Sequence, residues 1–399
     1  VPHPLRFDAP AFGILAVLFL VVGCASGESI TDPDWRDALD EEPMPAPLEG
    51  LPLLPTGRHW ASTLFGGGGP PDEGLLPRLN EATAAGMTGF YFMADWPALE
   101  PSPGLLALEE FNATLAWHSA LGLRPLVNLS LIDIASLNLP DDLRSGDGNR
   151  LRRGLSFDSE EVRVRLFAVL DEIVPRLLDH GGFALLLGNE IDEYFREHPS
   201  ADLGAYARLL NAARVHVRTL APELAVGVTL TSQGLRSESV AEILRLATDV
   251  VAFNYYPLVT EWGDDWFSVG PLEEVPAELD DLLERYEGAP VIIQELGCPS
   301  GSGSESSPEM QAQCFRTMFE TLNDAENVRF VSLFTLFDFD PPTCDLIVDI
   351  FGISESDLPG NLFDRWRSYL CTLGMLTPEF EPKPAWEAFV EMLETSVHR

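Results

Sequence analysis

From Gly57 onward one pattern recurs eight times: a short apolar run rich in β-branched or aromatic residues, then an amphipathic helical segment. The strand-like runs are His59–Phe65, Gly89–Ala94, Pro125–Leu131, Ala184–Asn189, Ala225–Thr231, Val250–Tyr255, Val291–Gln294 and Phe330–Leu336. The helical segments after the first four are Leu75–Ala85, Leu108–Leu121, Glu160–Leu178 and Leu203–Leu220. Ser239–Ala247, Pro276–Tyr286 and Pro308–Asn323 follow the next three, and Trp366–Leu373 and Ala385–Thr395 close the chain. Continuously apolar strands are buried on both faces, which calls for a parallel sheet covered by helices. Eight units over about 340 residues fit a single (β/α)₈ barrel with insertions, since a typical barrel takes about 250. The rival is a doubly wound open sheet, which often carries a glycine-rich phosphate turn. Gly66-Gly67-Gly68-Gly69 follows the first strand, but Pro70-Pro71 comes next, and no GxGxxG or GKS/GKT pattern occurs. These glycines read as a loop.

Ahead of the barrel, Ala9 to Gly23 is an almost unbroken apolar run behind Arg6. It is shorter than the roughly 20 residues of a membrane span and suits the core of a signal peptide. Its end, Val21-Val22-Gly23-Cys24, resembles a bacterial lipoprotein box. That resemblance implies removal of residues 1–23, lipidation of Cys24 and export to the cell envelope. Ser26 after Ala25 implies the outer membrane in a Gram-negative cell. Residues 24–56 hold Asp-Pro-Asp, Asp-Glu-Glu-Pro and Pro-Ala-Pro without periodicity and read as an acidic tether. Leu48 to Leu54 within it can alternatively pack on the barrel.

Charge narrows the partners. Asp and Glu number 63 against 25 Lys and Arg, a net −38, and Lys383 is the single lysine. Such a chain repels nucleic acid phosphates and anionic headgroups, so nucleic acid is excluded and membrane contact is expected through the lipid anchor alone. Neutral substrates and cations remain. A hydrophobic fraction of 46% excludes a disordered chain.

Two strands end in a glutamate. The fourth reads Ala184-Leu185-Leu186-Leu187-Gly188-Asn189-Glu190 and the seventh Val291-Ile292-Ile293-Gln294-Glu295. In a barrel the carboxyl ends of strands line the active-site mouth. A carboxylate ending an apolar strand is costly to desolvate without a role or a partner. Here the chain resembles the clan A glycoside hydrolases, barrel enzymes with catalytic glutamates on strands 4 and 7. The resemblance spans roughly Gly57 to Val397 and implies Glu190 as acid/base, Asn189 as a ligand of the sugar 2-hydroxyl and Glu295 as nucleophile. Asn254-Tyr255-Tyr256-Pro257 is similar to the segment that supplies a tyrosine to the nucleophile. Asp95-Trp96, with Leu99-Glu100-Pro101-Ser102-Pro103-Gly104, looks like the turn after strand 2. Lys383-Pro384-Ala385-Trp386 resembles the start of the last helix.

The residue types suit acetal cleavage. One carboxyl delivers a proton to the leaving oxygen, and a second, about 5–5.5 Å away, attacks the anomeric carbon and gives retention. Glu190 must stay protonated, which burial and the Glu295 charge favour. Glu295 must stay ionised and aimed. Tyr256 is the better donor to it if Asn254 and Tyr256 face the mouth; one residue of register would substitute Tyr255. Aromatic platforms for sugar faces are sought in Trp60, Tyr91, Trp96, Trp262 and Trp266, with a packing role as the alternative for each. Asp95 and Asn128 are candidates for binding hydroxyls, Asn128 more as a structural bond inside the barrel. Clan members usually carry a Trp near the end of strand 8. Val331–Asp338 has none, so Phe334 or Phe337 would stand in, and Arg58 would replace an arginine many members carry on strand 2.

No HExxH or CxxC spacing occurs, so neither metal nor cofactor is expected. Asp192 and Glu193 read as the start of a solvated loop, and His59 as a core histidine. Of the remaining cysteines, Cys298 and Cys344 follow strands 7 and 8, and Cys314 and Cys371 lie on the helices after them. The pairing expected is Cys298–Cys344 and Cys314–Cys371. The sequence thus describes a lipid-anchored, monomeric, retaining glycosidase for a neutral β-linked oligo- or polysaccharide of mannan, galactan or glucan type. Its rival is a catalytically inactive, surface-anchored glycan-binding barrel.

Overall fold

The computed structural model describes residues 58–396 except 64–73, 147, 197, 199, 237–246, 260–264, 287, 352 and 359. The signal segment, Cys24, the tether, the Gly66–Gly69 loop, most of the Ser239–Ala247 helix and Trp262 lie outside the described residues. The strands are β1 His59–Thr63, β2 Gly89–Asp95, β3 Arg124–Ser130 and β4 Ala184–Leu186. β5 is the pair Ala225–Gly227 and Thr229–Thr231, followed by β6 Val251–Tyr255, β7 Val291–Leu296 and β8 Val328–Leu333. All pair in parallel with their neighbours, and β1 pairs with both β2 and β8. The first stretch of β5 bonds to β4 and the second to β6, so the interruption at Val228 is where the sheet closes into a barrel.

The larger helices are α1 Leu76–Ala85, α2 Glu109–Ala120, α3 Glu160–Asp179, α4 Ser200–Leu220, α5 Val275–Glu284, α6 Pro308–Asp324, α7 Pro341–Phe351, α8 Leu362–Cys371 and α9 Pro384–Ser396. All but α7 and α8 turn an apolar stripe to the main core. In α3 it is Val162, Leu166, Val169, Leu170, Ile173, Val174 and Leu177, at three- and four-residue spacings. Burying one such side chain contributes about 1.5–3 kcal/mol. The opposite faces of the strands fill the barrel interior with Ala61, Tyr91, Leu126, Leu186, Ala252, Ile292 and Phe330. Gly89 belongs there for lack of space, since a Cβ at that position would stand 2.6 Å from Phe330 Cε2.

Helix α7 has no counterpart among the sequence-derived helices. With α8, Trp266 and Phe339 it encloses a second, smaller core. The disulfide differs from expectation in consequence: Cys344 of α7 is bonded to Cys371 of α8, with Cα atoms 5.6 Å apart. Cys298 and Cys314 are free, buried thiols in the main core. The expected pairs each joined a main-core cysteine to one of the second core, which the packing keeps apart. Asp192 and Glu193 also differ. They start the short helix Ile191–Arg196 and are buried, Asp192 accepting from Thr231 N at 2.9 Å and Thr231 Oγ1 at 2.6 Å and Glu193 pairing with Arg196.

Candidate active site

The site is built on a chain of amides at the carboxyl ends of β3, β4, β6 and β7. Asn128 on β3 is fully buried and donates from Nδ2 to Gln294 Oε1 at 2.7 Å and to the Gly188 carbonyl at 3.0 Å. Thr229 Oγ1 donates to the same Gln294 oxygen at 2.6 Å. With its oxygen so occupied, Gln294 turns Nε2 to the mouth and donates to Asn189 Oδ1 at 2.7 Å. Asn254 donates from Nδ2 to Asn189 Oδ1 at 3.2 Å and to Glu190 Oε1 at 3.0 Å. Asn189 donates in turn to Asp133 Oδ1 at 3.0 Å. A buried network with its donors and acceptors matched holds its members in one arrangement.

Glu190 is placed by the backbone. After β4 the Asn189 N–H bonds to the Ile132 carbonyl at 2.8 Å, and the Ile134 N–H returns to the Asn189 carbonyl at 2.8 Å. The next residue, Glu190, takes a left-handed φ of 46°. A non-glycine residue adopts that conformation at a cost that surrounding contacts must cover, and such residues cluster at functional sites. Glu295, one residue beyond Gln294 on β7, is 7% exposed. Its Oε2 accepts from the Tyr256 hydroxyl at 2.7 Å, and Gln294 Nε2 stands 3.4 Å from Oε1.

The electrostatics separate the two acids. Burial pushes the Glu190 carboxyl well above the ordinary carboxylate range, and the Glu295 charge pushes it further, while Asn254 opposes. Burial also raises Glu295, to about 7, against the pull of the Tyr256 hydroxyl. Asp133 contributes to that rise and is itself raised by burial to about 6. Tyr91 on β2 turns its hydroxyl to the same place, its pKa raised by burial and by the charges of Glu295, Asp133 and Glu190. Asp95 stands near Asp133 at the mouth and accepts from Asn138 Nδ2 at 2.7 Å.

Other expected residues sit elsewhere. Tyr255 faces outward and donates to Glu278 of α5 at 2.7 Å, because strand alternation gives the mouth to Asn254 and Tyr256. Trp96 is fully buried and donates to Glu100 Oε2 at 2.8 Å, so it fixes the turn after β2 and presents no ring to the mouth. Trp60 and Trp266 are likewise packed in cores. Phe337 packs edge-on against Phe380, whereas Phe334 packs edge-on against Tyr256 at 6.3 Å between centroids. Arg58 bonds Asn323 and the Ala325 carbonyl, away from the acids. Lys383 ties the loops after β7 and β8 together through Ser300 Oγ at 2.7 Å and Asp338 Oδ2 at 3.0 Å. Asp133 was not foreseen from sequence: it falls in a short hairpin beyond β3, where no period marks it.

No family model and no curated protein matches the sequence. Solved structures do match. A GH5_18 variant from Bifidobacterium longum subsp. longum in complex with Manβ1-4GlcNAc superposes with a TM-score of 0.61 at 14% identity, over 85% of this chain and 78% of that one. A GH5_18 protein from Streptomyces cattleya in complex with GlcNAc gives 0.62 at 16% identity, over 86% and 81%. An exo-β-1,4-mannosidase from Opitutaceae bacterium strain TAV5 gives 0.62 at 16% identity, over 90% of this chain and 62% of that one. At these identities the likeness is one of fold: the chain has the same (β/α)₈ barrel as these structures.

Proposed function

We propose that the protein is a retaining glycosidase acting on β-linked glycans, with Glu190 as acid/base and Glu295 as nucleophile. The observation that carries this reading is the asymmetric treatment of two buried carboxyls at one mouth. Glu190 is held toward its protonated form, and Glu295 receives a phenolic hydrogen bond that favours its ionised form. In the first step the Glu190 carboxyl gives its proton to the glycosidic oxygen, the bond from that oxygen to the anomeric carbon breaks, and a Glu295 oxygen bonds the carbon. In the second step the Glu190 carboxylate takes a proton from water, whose oxygen displaces Glu295. Asn189 is fixed by Gln294, Asn254 and Asp133, and in this reading it binds the sugar hydroxyl beside the anomeric carbon.

The structural neighbours described as an exo-β-1,4-mannosidase and as a complex with Manβ1-4GlcNAc make β-mannosides the first substrates to try. Export and lipid anchoring through Cys24 belong to the same reading and place the enzyme in the cell envelope. The test is hydrolysis of aryl β-glycosides and β-linked polysaccharides by the native protein, Glu190→Gln and Glu295→Gln. Polysaccharide turnover lost in both variants supports the reading. Glycan binding that survives both substitutions, with no turnover by the native protein, supports the non-catalytic barrel instead.

A further inference from the structure

We propose that Tyr369 is a positioning residue for the nucleophile: the disulfide-closed helix pair after β8 holds its ring against Tyr256 and, through Tyr256, aims Glu295. This rests on Glu295 acting as nucleophile.

Tyr369 lies on α8, two residues before Cys371, whose sulfur is bonded to Cys344 of α7. Its ring meets that of Tyr256 edge-on, with centroids 5.6 Å apart and planes at 86°. Tyr256 is confined by two further neighbours. Phe334 packs edge-on against it, and Gly297 lies so close that a Cβ there would stand 2.5 Å from Tyr256 Cε1. Remove Tyr369 and one wall of this enclosure is lost, leaving the Tyr256 ring free to swing away from Glu295 Oε2. Tyr369 is itself braced. Phe267 stacks on it at 5.8 Å and 19°, and Phe267 takes a left-handed φ of 64°, with Trp266 against it at 4.0 Å.

Helix α8 is fastened to the loop that follows Glu295. Ser368 fills the space over Gly301 and Gly303, where a Cβ would come within 2.2 Å of Ser368 Oγ and 2.6 Å of Ser368 Cβ. Arg365 pairs with Glu305 at 2.6 Å and bonds Ser268 Oγ, and the Ser300 N–H bonds the Thr372 carbonyl at 2.9 Å. The excursion is therefore registered to β7. Tyr369, half-buried, is where it meets the carboxylate pair: its hydroxyl shares a hydrogen bond with that of Tyr256, and the charges of Glu190 and Glu295 act on it. The groups facing Glu295 are then Tyr256 from the end of β6, Gln294 on β7, Glu190 after β4, Asp133 beyond β3, Tyr91 on β2 and Tyr369 on α8.

The experiment compares the full chain with Tyr369→Ala, Tyr369→Phe and the double variant Cys344→Ser/Cys371→Ser. Two readouts are taken: the pH profile of kcat/KM on an aryl β-glycoside, and the Glu295 carboxyl titration by carbon NMR, its signal identified by its absence in Glu295→Gln. Tyr369→Ala and the double variant should lower kcat about tenfold with KM changed less than about twofold. Both should move the acid limb and the Glu295 titration upward by about one pH unit, because the Tyr256 donation weakens. Tyr369→Phe keeps the ring but not the hydrogen bond to Tyr256, and should recover part of the loss. An unmoved Glu295 titration in folded Tyr369→Ala, or Tyr369→Phe as impaired as Tyr369→Ala, overturns the proposal. If Tyr369→Ala does not fold, the double variant carries the test, and an unmoved titration there overturns it. Absence of turnover by the native protein, with the titration still moved by Tyr369→Ala, sinks the glycosidase reading and leaves the positioning intact.

Discussion

The Tyr256 hydroxyl donates to Glu295 Oε2 over 2.7 Å from the strand next to that of Glu295. A hydrogen bond to a charged group contributes about 1.5–3 kcal/mol. Tyr256→Phe should therefore lower kcat roughly 10- to 100-fold. The lost donor favoured the ionised form, so the Glu295 pKa should rise and the acid limb of kcat/KM should move upward. Steady-state rates from pH 5 to pH 9 check this. A limb unchanged in position would mean the contact does not govern the nucleophile's ionisation.

The native profile should be bell-shaped and centred above neutrality. Its acid limb follows ionisation of Glu295, near pH 7. Its alkaline limb follows loss of the Glu190 proton, which burial and the Glu295 charge hold to higher pH. Because the two acids interact, the limbs report the pair. Glu190→Gln should abolish the alkaline limb for substrates whose leaving group needs no proton, such as dinitrophenyl glycosides. Persistence of that limb would take the acid role away from Glu190.

The two glutamates were legible because each ends an apolar strand, where an ionisable group stands out. The choice between Tyr255 and Tyr256 was legible in principle from alternation: Phe253 and Tyr255 pack outward, and Asn254 faces the mouth with Tyr256 following it. Trp96 misled because aromatic identity does not reveal which face of a tight turn is buried. Asp133 and Tyr369 stayed hidden for a different reason. Asp133 is delivered by a hairpin that no period marks, and Tyr369 lies in the expected closing helix but meets Tyr256 through a packing with α7, which no period located. The cysteine pairing failed likewise, since it depends on the second core formed by α7 and α8.

Gly297→Ala should damage the site without touching a polar group. The added methyl would stand 2.5 Å from Tyr256 Cε1 and 2.8 Å from the Phe334 carbonyl, closer than such atoms pack. The Tyr256 ring must then shift away from Glu295. Overpacking of this kind costs about 1–3 kcal/mol, so stability should fall modestly and kcat about tenfold or more. Thermal unfolding together with rates decides it. A variant with native kcat would show that Tyr256 tolerates displacement.

Peptide mapping under non-reducing conditions should find Cys344 linked to Cys371. Cys298 and Cys314 should resist alkylation in the folded protein and react once it is unfolded, since both are buried thiols. Recovery of a Cys298–Cys344 peptide would refute the separation of the two cores.

The acid pair should also cost the fold stability, with a definite pH dependence. A carboxyl whose folded pKa lies above its unfolded value binds more protons folded than unfolded between the two, so stability falls as pH rises through that window. For Glu295 the window runs from about 4.5 to about 7. Below it both states are protonated and the carboxyl carries no penalty. Above it the folded state holds a buried charge that the unfolded chain solvates. Glu295→Gln removes that term, and so does Glu190→Gln, whose folded pKa is also raised. Glu295→Gln should be more stable than the native protein at pH 8 by on the order of 1–3 kcal/mol, or roughly 3 °C or more in Tm, and Glu190→Gln should change in the same direction. The gain should shrink toward zero near pH 4.5. Melting curves at the two pH values test both the size and the sign. A gain equal at pH 4.5 and pH 8 would trace the effect to packing rather than to charge.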